Sequence, residues 1–216
     1  MQRYLTHASA YAIRVALASA LLLATAPALA EWSLLFGVGG GQSEVQDYSC
    51  EGCGISSVDD TDTSYLASLG IHYKLEGDRS PLIPRFGLVT EYVDLGDLNG
   101  SGVGVSDKLE ASAWTLMLSP TWELGHGFNL FTESGLAWWS QKVTYRDPGF
   151  QASDTFDDSD PVYGVGIGYR FGDDAHWGVK AKWMRFKNVG EGDDPDLGHE
   201  YDIDFYGVII DYQFPI

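Results

Sequence analysis

The sequence predicts an all-β fold: an eight-stranded antiparallel transmembrane β-barrel with up-and-down connections. Three observations predict it. Apolar residues alternate with small or polar ones along eight segments, while helical periodicity is weak throughout. The 216 residues include 26 Gly, 12 Tyr and 7 Trp, a surplus of turn and strand formers. The connections alternate between short and long.

Residues 1–30 read as an export signal. Arg3 and Arg14 are the only charges before Glu31, the run Val15 to Ala26 is apolar, and Ala28-Leu29-Ala30 supplies small residues two apart. Cleavage is expected after Ala30, leaving one domain over 31–216. The full chain has 13 Lys+Arg against 31 Asp+Glu, a net charge of −18; without Arg3 and Arg14, 11 basic residues face 31 acidic ones, or −20. That balance excludes nucleic acid as a partner, because phosphate binding needs a basic face. The 44% hydrophobic content excludes disorder. Beyond the signal no stretch is apolar for eighteen residues, so no transmembrane helix follows.

The predicted strands run in order, each with one apolar face. Trp32–Val45 presents Leu34, Phe36 and Val38 opposite Gly37 and Gly39. Ser64–Leu75 presents Tyr65, Leu69, Ile71 and Tyr73 opposite Ser68, Gly70, His72 and Lys74. Pro84–Leu95 sets Phe86, Leu88 and Tyr92 against Arg85, Gly87 and Glu91. Leu109–Leu124 sets Trp114, Leu116, Leu118 and Trp122 against Thr115, Ser119 and Glu123. Phe128–Tyr145 sets Leu130, Leu136 and Trp138 against Glu133, Gly135 and Gln141. Pro161–Phe171 alternates Tyr163, Val165, Ile167 and Tyr169 with three glycines and Arg170. His176–Asn188 alternates Trp177, Val179 and Trp183 with Gly178, Lys180 and Lys182. Tyr201–Phe214 alternates Tyr206, Val208, Ile210, Tyr212 and Phe214 with Gly207, Asp211 and Gln213.

Glycine on the polar face would make a poor soluble exterior, but it suits the crowded interior of a narrow barrel. The strands are long enough for a tilted bilayer crossing. Gln46–Thr63, Gly96–Lys108, Arg146–Asp160 and Val189–Glu200 are the long, external connections. Glu76–Pro81, Gly125–Gly127 and Gly172–Ala175 are the short, periplasmic ones. In this orientation the aromatics sort into two rims, with Trp32, Tyr73, Phe128, Trp177 and Phe214 below and Tyr65, Tyr92, Trp138 and Tyr206 above.

Four segments carry a family resemblance: Tyr92-Val93-Asp94-Leu95-Gly96, Leu130-Phe131-Thr132-Glu133-Ser134-Gly135, Val165 to Phe171, and Asp211-Tyr212-Gln213-Phe214. Over its mature length the chain resembles the OmpA-like eight-stranded outer-membrane barrel domains, with the OmpW-like barrels as a close alternative. The resemblance implies residence in the outer membrane of a Gram-negative bacterium; a monomer is expected, although the sequence itself does not give the oligomeric state. It also implies that Tyr212 and Phe214 form the signal read by the barrel-assembly machinery. Pro215-Ile216 departs from the usual aromatic end. No peptidoglycan-binding domain is expected.

On the inward face, Arg85, Glu91, Glu123, Glu133, Arg170, Lys180, Lys182 and Asp211 form a candidate charge network. Unpaired buried charge is costly, so opposite signs should pair. Such a network can plug the lumen, or can gate a narrow porin-like pore by exchanging partners. Neutralising Glu133 or Lys182 alone is expected to destabilise the barrel more than replacing both. Lys142, Arg185 and Lys187 lie on the lipid-facing parity at the external ends, where lipopolysaccharide phosphates sit, and are the candidate lipid contacts. Acid clusters such as Asp154, Asp157, Asp158 and Asp160 fill the long connections without calcium-loop spacing, so no metal site is assigned. Cys50 and Cys53 in the first external connection are expected to pair in an oxidising compartment.

No catalytic residue and no cofactor is expected. His72, His126, His176 and His199 are not followed by Ser two places on, and no nucleophile elbow occurs. The sequence therefore points to a non-enzymatic envelope protein in contact with outer-membrane lipid and lipopolysaccharide, with a small channel as the alternative.

Overall fold

The computed structural model describes residues 30–46, 55–59, 61–75, 83–102, 106–172, 176–190 and 201–216. The export signal, apart from Ala30, together with Cys50, Cys53 and the acid-rich stretch around His199, lies outside the described residues. The strands are β1 (Ala30–Gln46), β2 (Ile55–Asp59), β3 (Thr61–Leu75), β4 (Phe86–Gly102), β5 (Ser106–Leu118), β6 (Thr121–Gly125), β7 (Phe128–Asp147), β8 (Phe150–Phe171), β9 (Trp177–Val189) and β10 (Tyr201–Pro215).

Ten segments make eight staves. β2 and β3 both pair with β4 in nearly continuous register, and β5 and β6 both pair with β7. The second break falls at Ser119-Pro120, where the proline has no N–H to give to the ladder. Every neighbouring pair is antiparallel, and β1 bonds to both β3 and β10, so the sheet closes on itself. The closing seam runs Leu34 opposite Phe214 and Phe36 opposite Tyr212.

The predicted faces hold and the predicted ends move. The external part of the barrel is more regular than alternation suggested. Arg146–Asp160, expected as a long loop, is the upper part of a hairpin closed by a two-residue turn, with Asp147 opposite Phe150 and Gly149 at φ 95°. Polar residues hid it, because a strand with water on both faces shows no alternation. Likewise β4 continues to Gly102 and pairs with β5 from Ser106, shortening the second external connection. β8 pairs with β9 only from Val162 downward, so its upper half is an exposed edge. Asp154, Asp157 and Asp158 on that edge, ending at Pro161, disfavour further strand pairing.

Polarity inverts along the barrel axis. Between the aromatic rims the outside is apolar: Val38, Leu69, Leu118, Leu136, Ile167, Val208 and Ile210 are all exposed. From Tyr206 to Phe214 the outward residues span eight intervals, about 26 Å along the strand. Tilted as such strands are, that nearly covers the roughly 25 Å apolar band of outer-membrane barrels. Trp114 and Trp138 are cross-strand partners at the upper rim, and Tyr92 lies 5.2 Å from Trp114. At the lower rim Phe128 lies 4.8 Å from Tyr169, and Tyr212 lies 4.9 Å from Trp177. Toward and above the upper rim the interior becomes mainly apolar, with Ser43, Ser64, Gln141 and Thr144 also buried there. Leu66, Val93, Leu95, Leu109, Trp139, Met184, Phe186, Ile203 and Phe205 form one buried cluster inside the wall. Water surrounds that part of the wall, so burying apolar area inward is the favourable arrangement there.

Candidate functional site

The lumen is built from three layers. The top layer is the apolar cluster. Its widest side chain, Trp139, is 2% exposed and donates from Nε1 to Asp160 Oδ2 at 2.9 Å. The hydrogen bond satisfies the indole while the ring fills the barrel.

The middle layer is a buried charge triad. Lys182 Nζ donates to Glu91 Oε1 and Oε2 at 2.7 and 2.6 Å, and to Glu133 Oε2 at 3.1 Å. All three side chains are at most 4% exposed. β4, β7 and β9 supply one member each, at inward positions of the strand alternation. Phe131 lies below, and Gly166 on the neighbouring strand makes room for its ring; a Cβ at Gly166 would run into it.

The lower layer opens toward the periplasm. Arg170 Nη2 donates to Asp211 Oδ1 at 3.0 Å, and Lys180 Nζ lies 3.1 Å from Asp211 Oδ2. Arg85 is paired with Glu123, which also lies 3.6 Å from Lys74. The eight predicted network residues therefore all point inward, but they form separate groups instead of one network. Glu91, Glu133 and Lys182 make the triad; Arg85, Glu123, Arg170, Lys180 and Asp211 stand at the mouth.

The outer-rim cations do not stand alone. Lys142 Nζ lies 3.3 Å from Glu110, Arg185 holds Asp204 through two hydrogen bonds at 2.7 and 2.6 Å, and Lys187 holds Asp202 at 2.5 Å. Lys108 joins Glu110 at 2.8 Å and Asp97 at 2.7 Å. Hydrogen bonds from Lys108 and Lys142 hold the Glu110 carboxyl below its usual range, and those to Asp97 and Glu110 hold Lys108 above its own. Sequence reasoning found Lys142, Arg185 and Lys187 and missed Lys108 and the carboxylate partners. Glu110, Asp202 and Asp204 share the lipid-facing parity of their strands, but only register shows which residue sits opposite. Asp97 was hidden further, because a bulge between Asp94 and Gly96 flips the parity of β4.

Tyr212 and Phe214 face outward at the lower rim, 4.4 Å apart between ring centroids, with Phe214 5.7 Å from Phe36 across the seam. Among the described residues no group of three or more His, Cys, Asp or Glu is arranged to hold a metal ion.

A closed antiparallel barrel with an apolar skin, two aromatic rims and a filled lumen defines a transmembrane β-barrel protein. The chain matches the family of outer membrane protein beta-barrel domains over residues 16–214 and belongs to it. It is thus a β-barrel of the bacterial outer membrane. Its fold is similar to that of Ail, the attachment invasion locus protein of Yersinia pestis, with a TM-score of 0.51 and 13% identity over 85% of this chain and 99% of that one. The N-terminal β-barrel domain of Pseudomonas aeruginosa OprF follows at 0.44 and 16%, covering 84% and 97%. Neisserial surface protein A gives 0.43 and 7%, covering 85% and 97%. A search of curated proteins finds no match.

Proposed function

We propose that this protein is a non-enzymatic structural barrel of the outer membrane. It closes its own lumen and carries a rigid hairpin, β7–β8, above the membrane surface. The observation that carries this reading is the filled lumen. The Trp139 layer lies over the Lys182 triad, and among the described residues both layers are filled by buried side chains. A conducting pore needs polar lining throughout or a constriction that can wet. The described histidines of the barrel fit the same reading, since His72 is an inward residue near the periplasmic end, and His126 and His176 lie at periplasmic turns.

Contact with lipopolysaccharide belongs to this proposal through the outer-rim cations. Lys142 is the most available, with a side chain about half exposed (52%) and a longer contact to its carboxylate than Arg185 or Lys187 has. Charge reversal at all three positions is expected to reduce co-purifying lipopolysaccharide; unchanged co-purification would remove this part of the reading.

The test of the whole is planar-bilayer recording on the purified, refolded protein. A sealed barrel gives no resolvable unitary steps. Regular, voltage-dependent steps from protein that also shows heat-modifiable migration in detergent gels would make the channel reading correct instead.

A further inference from the structure

The lower layer carries an imbalance that the triad above it does not share. Four cations, Lys74, Arg85, Arg170 and Lys180, share two carboxylates, Glu123 and Asp211. In the triad one cation is shared by two carboxylates. Among the described ion-paired side chains the lumen is therefore polarised, with two more cations than carboxylates in the lower layer. A cavity of about 460 Å³ opens among these groups, lined by His72, Arg85, Glu123, Arg170 and Lys180. Two buried side-chain nitrogens there have no hydrogen-bond partner: Nε2 of His72, whose residue is 5% exposed, and Nε of Arg85. A buried polar nitrogen left without a partner is costly, and a group that accepts from it removes that cost.

We infer that this vestibule binds a small, water-soluble dianion from the periplasm, of the size and charge of hydrogen phosphate or sulfate. The excess of cations among the described side chains favours a divalent anion. Arg85 and His72 line the cavity and, with His72 as the Nε2–H tautomer, bring these two donors to its wall, and Lys180 and Arg170 supply charge from the opposite strands. Glu123 sets the limit on affinity, because it cancels one cation and repels the ligand. The site needs no passage through the barrel, since both upper layers lie beyond it.

The experiment uses the full mature barrel refolded in a maltoside detergent free of phosphate, with inorganic phosphate titrated calorimetrically and sulfate as competitor. Saturable binding of one phosphate per barrel, displaced by sulfate, is expected. Lys180→Gln should weaken it at least about fourfold and Glu123→Gln should tighten it by a similar factor, as a unit charge some 5 Å away requires even in a water-like dielectric. Arg146→Gln, exposed at the opposite end of the barrel, should leave it unchanged. Absence of saturable binding to the folded wild type would overturn the inference, as would equal affinities for wild type and Glu123→Gln. An equal loss from Arg146→Gln and Lys180→Gln would also overturn it, by showing bulk attraction in place of a site. Should Lys180→Gln fail to fold, Glu123→Gln decides the matter alone.

Discussion

Replacing Lys182 by methionine leaves Glu91 and Glu133 facing each other in the barrel centre without a cation. Both are at most 5% exposed, so water cannot screen them. At charge separations near 4 Å and an effective dielectric near 20, each Lys182–Glu attraction is about 4 kcal/mol. Desolvation offsets much of that, and breaking a buried pair from one side costs roughly 3–5 kcal/mol net. Glu133→Gln behaves differently. It removes one attraction, but also the repulsion from Glu91 and the desolvation of one carboxylate, leaving the balanced Lys182–Glu91 pair. Its expected cost is within about 1 kcal/mol. The pairing thus changes one half of the sequence expectation, that neutralising Glu133 alone would destabilise the barrel more than replacing both Glu133 and Lys182. Combining Glu91→Gln, Lys182→Met and Glu133→Gln should recover most of the loss. Urea titration of barrels folded into vesicles, read by tryptophan fluorescence, measures all three. A Glu133→Gln cost equal to that of Lys182→Met would refute the reasoning.

Three further expectations follow from the geometry. Gly166→Ala places a methyl group against the Phe131 ring and should cost roughly 1–3 kcal/mol in the same titration, while Gly149, in an open turn, is not subject to that crowding. Trp139→Ala should cost roughly 3–5 kcal/mol and raise bilayer conductance, because it removes the widest side chain of the upper layer and the indole donor to Asp160 Oδ2. Acid should loosen the Lys108–Glu110–Lys142 link. A carboxyl with a lowered pKa stabilises above its unfolded pKa and loses that contribution as pH falls through its folded value; the raised Lys108 stabilises below its unfolded pKa and loses its share as pH rises through its folded value. Amide exchange of β5–β7 above Glu110, corrected for intrinsic rates, should therefore accelerate below about pH 4, and Glu110→Gln should abolish the acid dependence.

Alternation alone was enough to assign inside and outside along every stave, because a lipid-facing residue and a lumenal one differ sharply in chemistry. Leu34, Leu69, Trp138 and Val208 fall where the pattern put them. The same logic stopped at the upper rim. Above it the two faces exchange polarity, so the pattern assigned no face to Trp139, Phe186 and Phe205, and the hairpin around Gly149 looked like loop. The site was legible as a set of residue types and not as a set of contacts. Arg85, Glu91, Glu123, Glu133, Arg170, Lys180, Lys182 and Asp211 all sit inward, yet which carboxylate Lys182 holds depends on shear and register, which one sequence does not encode locally. For the same reason Glu110, Asp202 and Asp204 went unnoticed opposite cations that parity had found.

The closed lumen is tested most directly by two adjacent tryptophans on opposite faces of β7. Trp138 is 47% exposed on the lipid side and Trp139 is 2% exposed inside. In single-tryptophan variants refolded into vesicles, brominated lipid should quench Trp138, while neither brominated lipid nor aqueous acrylamide should quench Trp139. Efficient quenching of Trp139 by acrylamide, in barrels that remain folded, would show water in the upper lumen and contradict the sealed barrel.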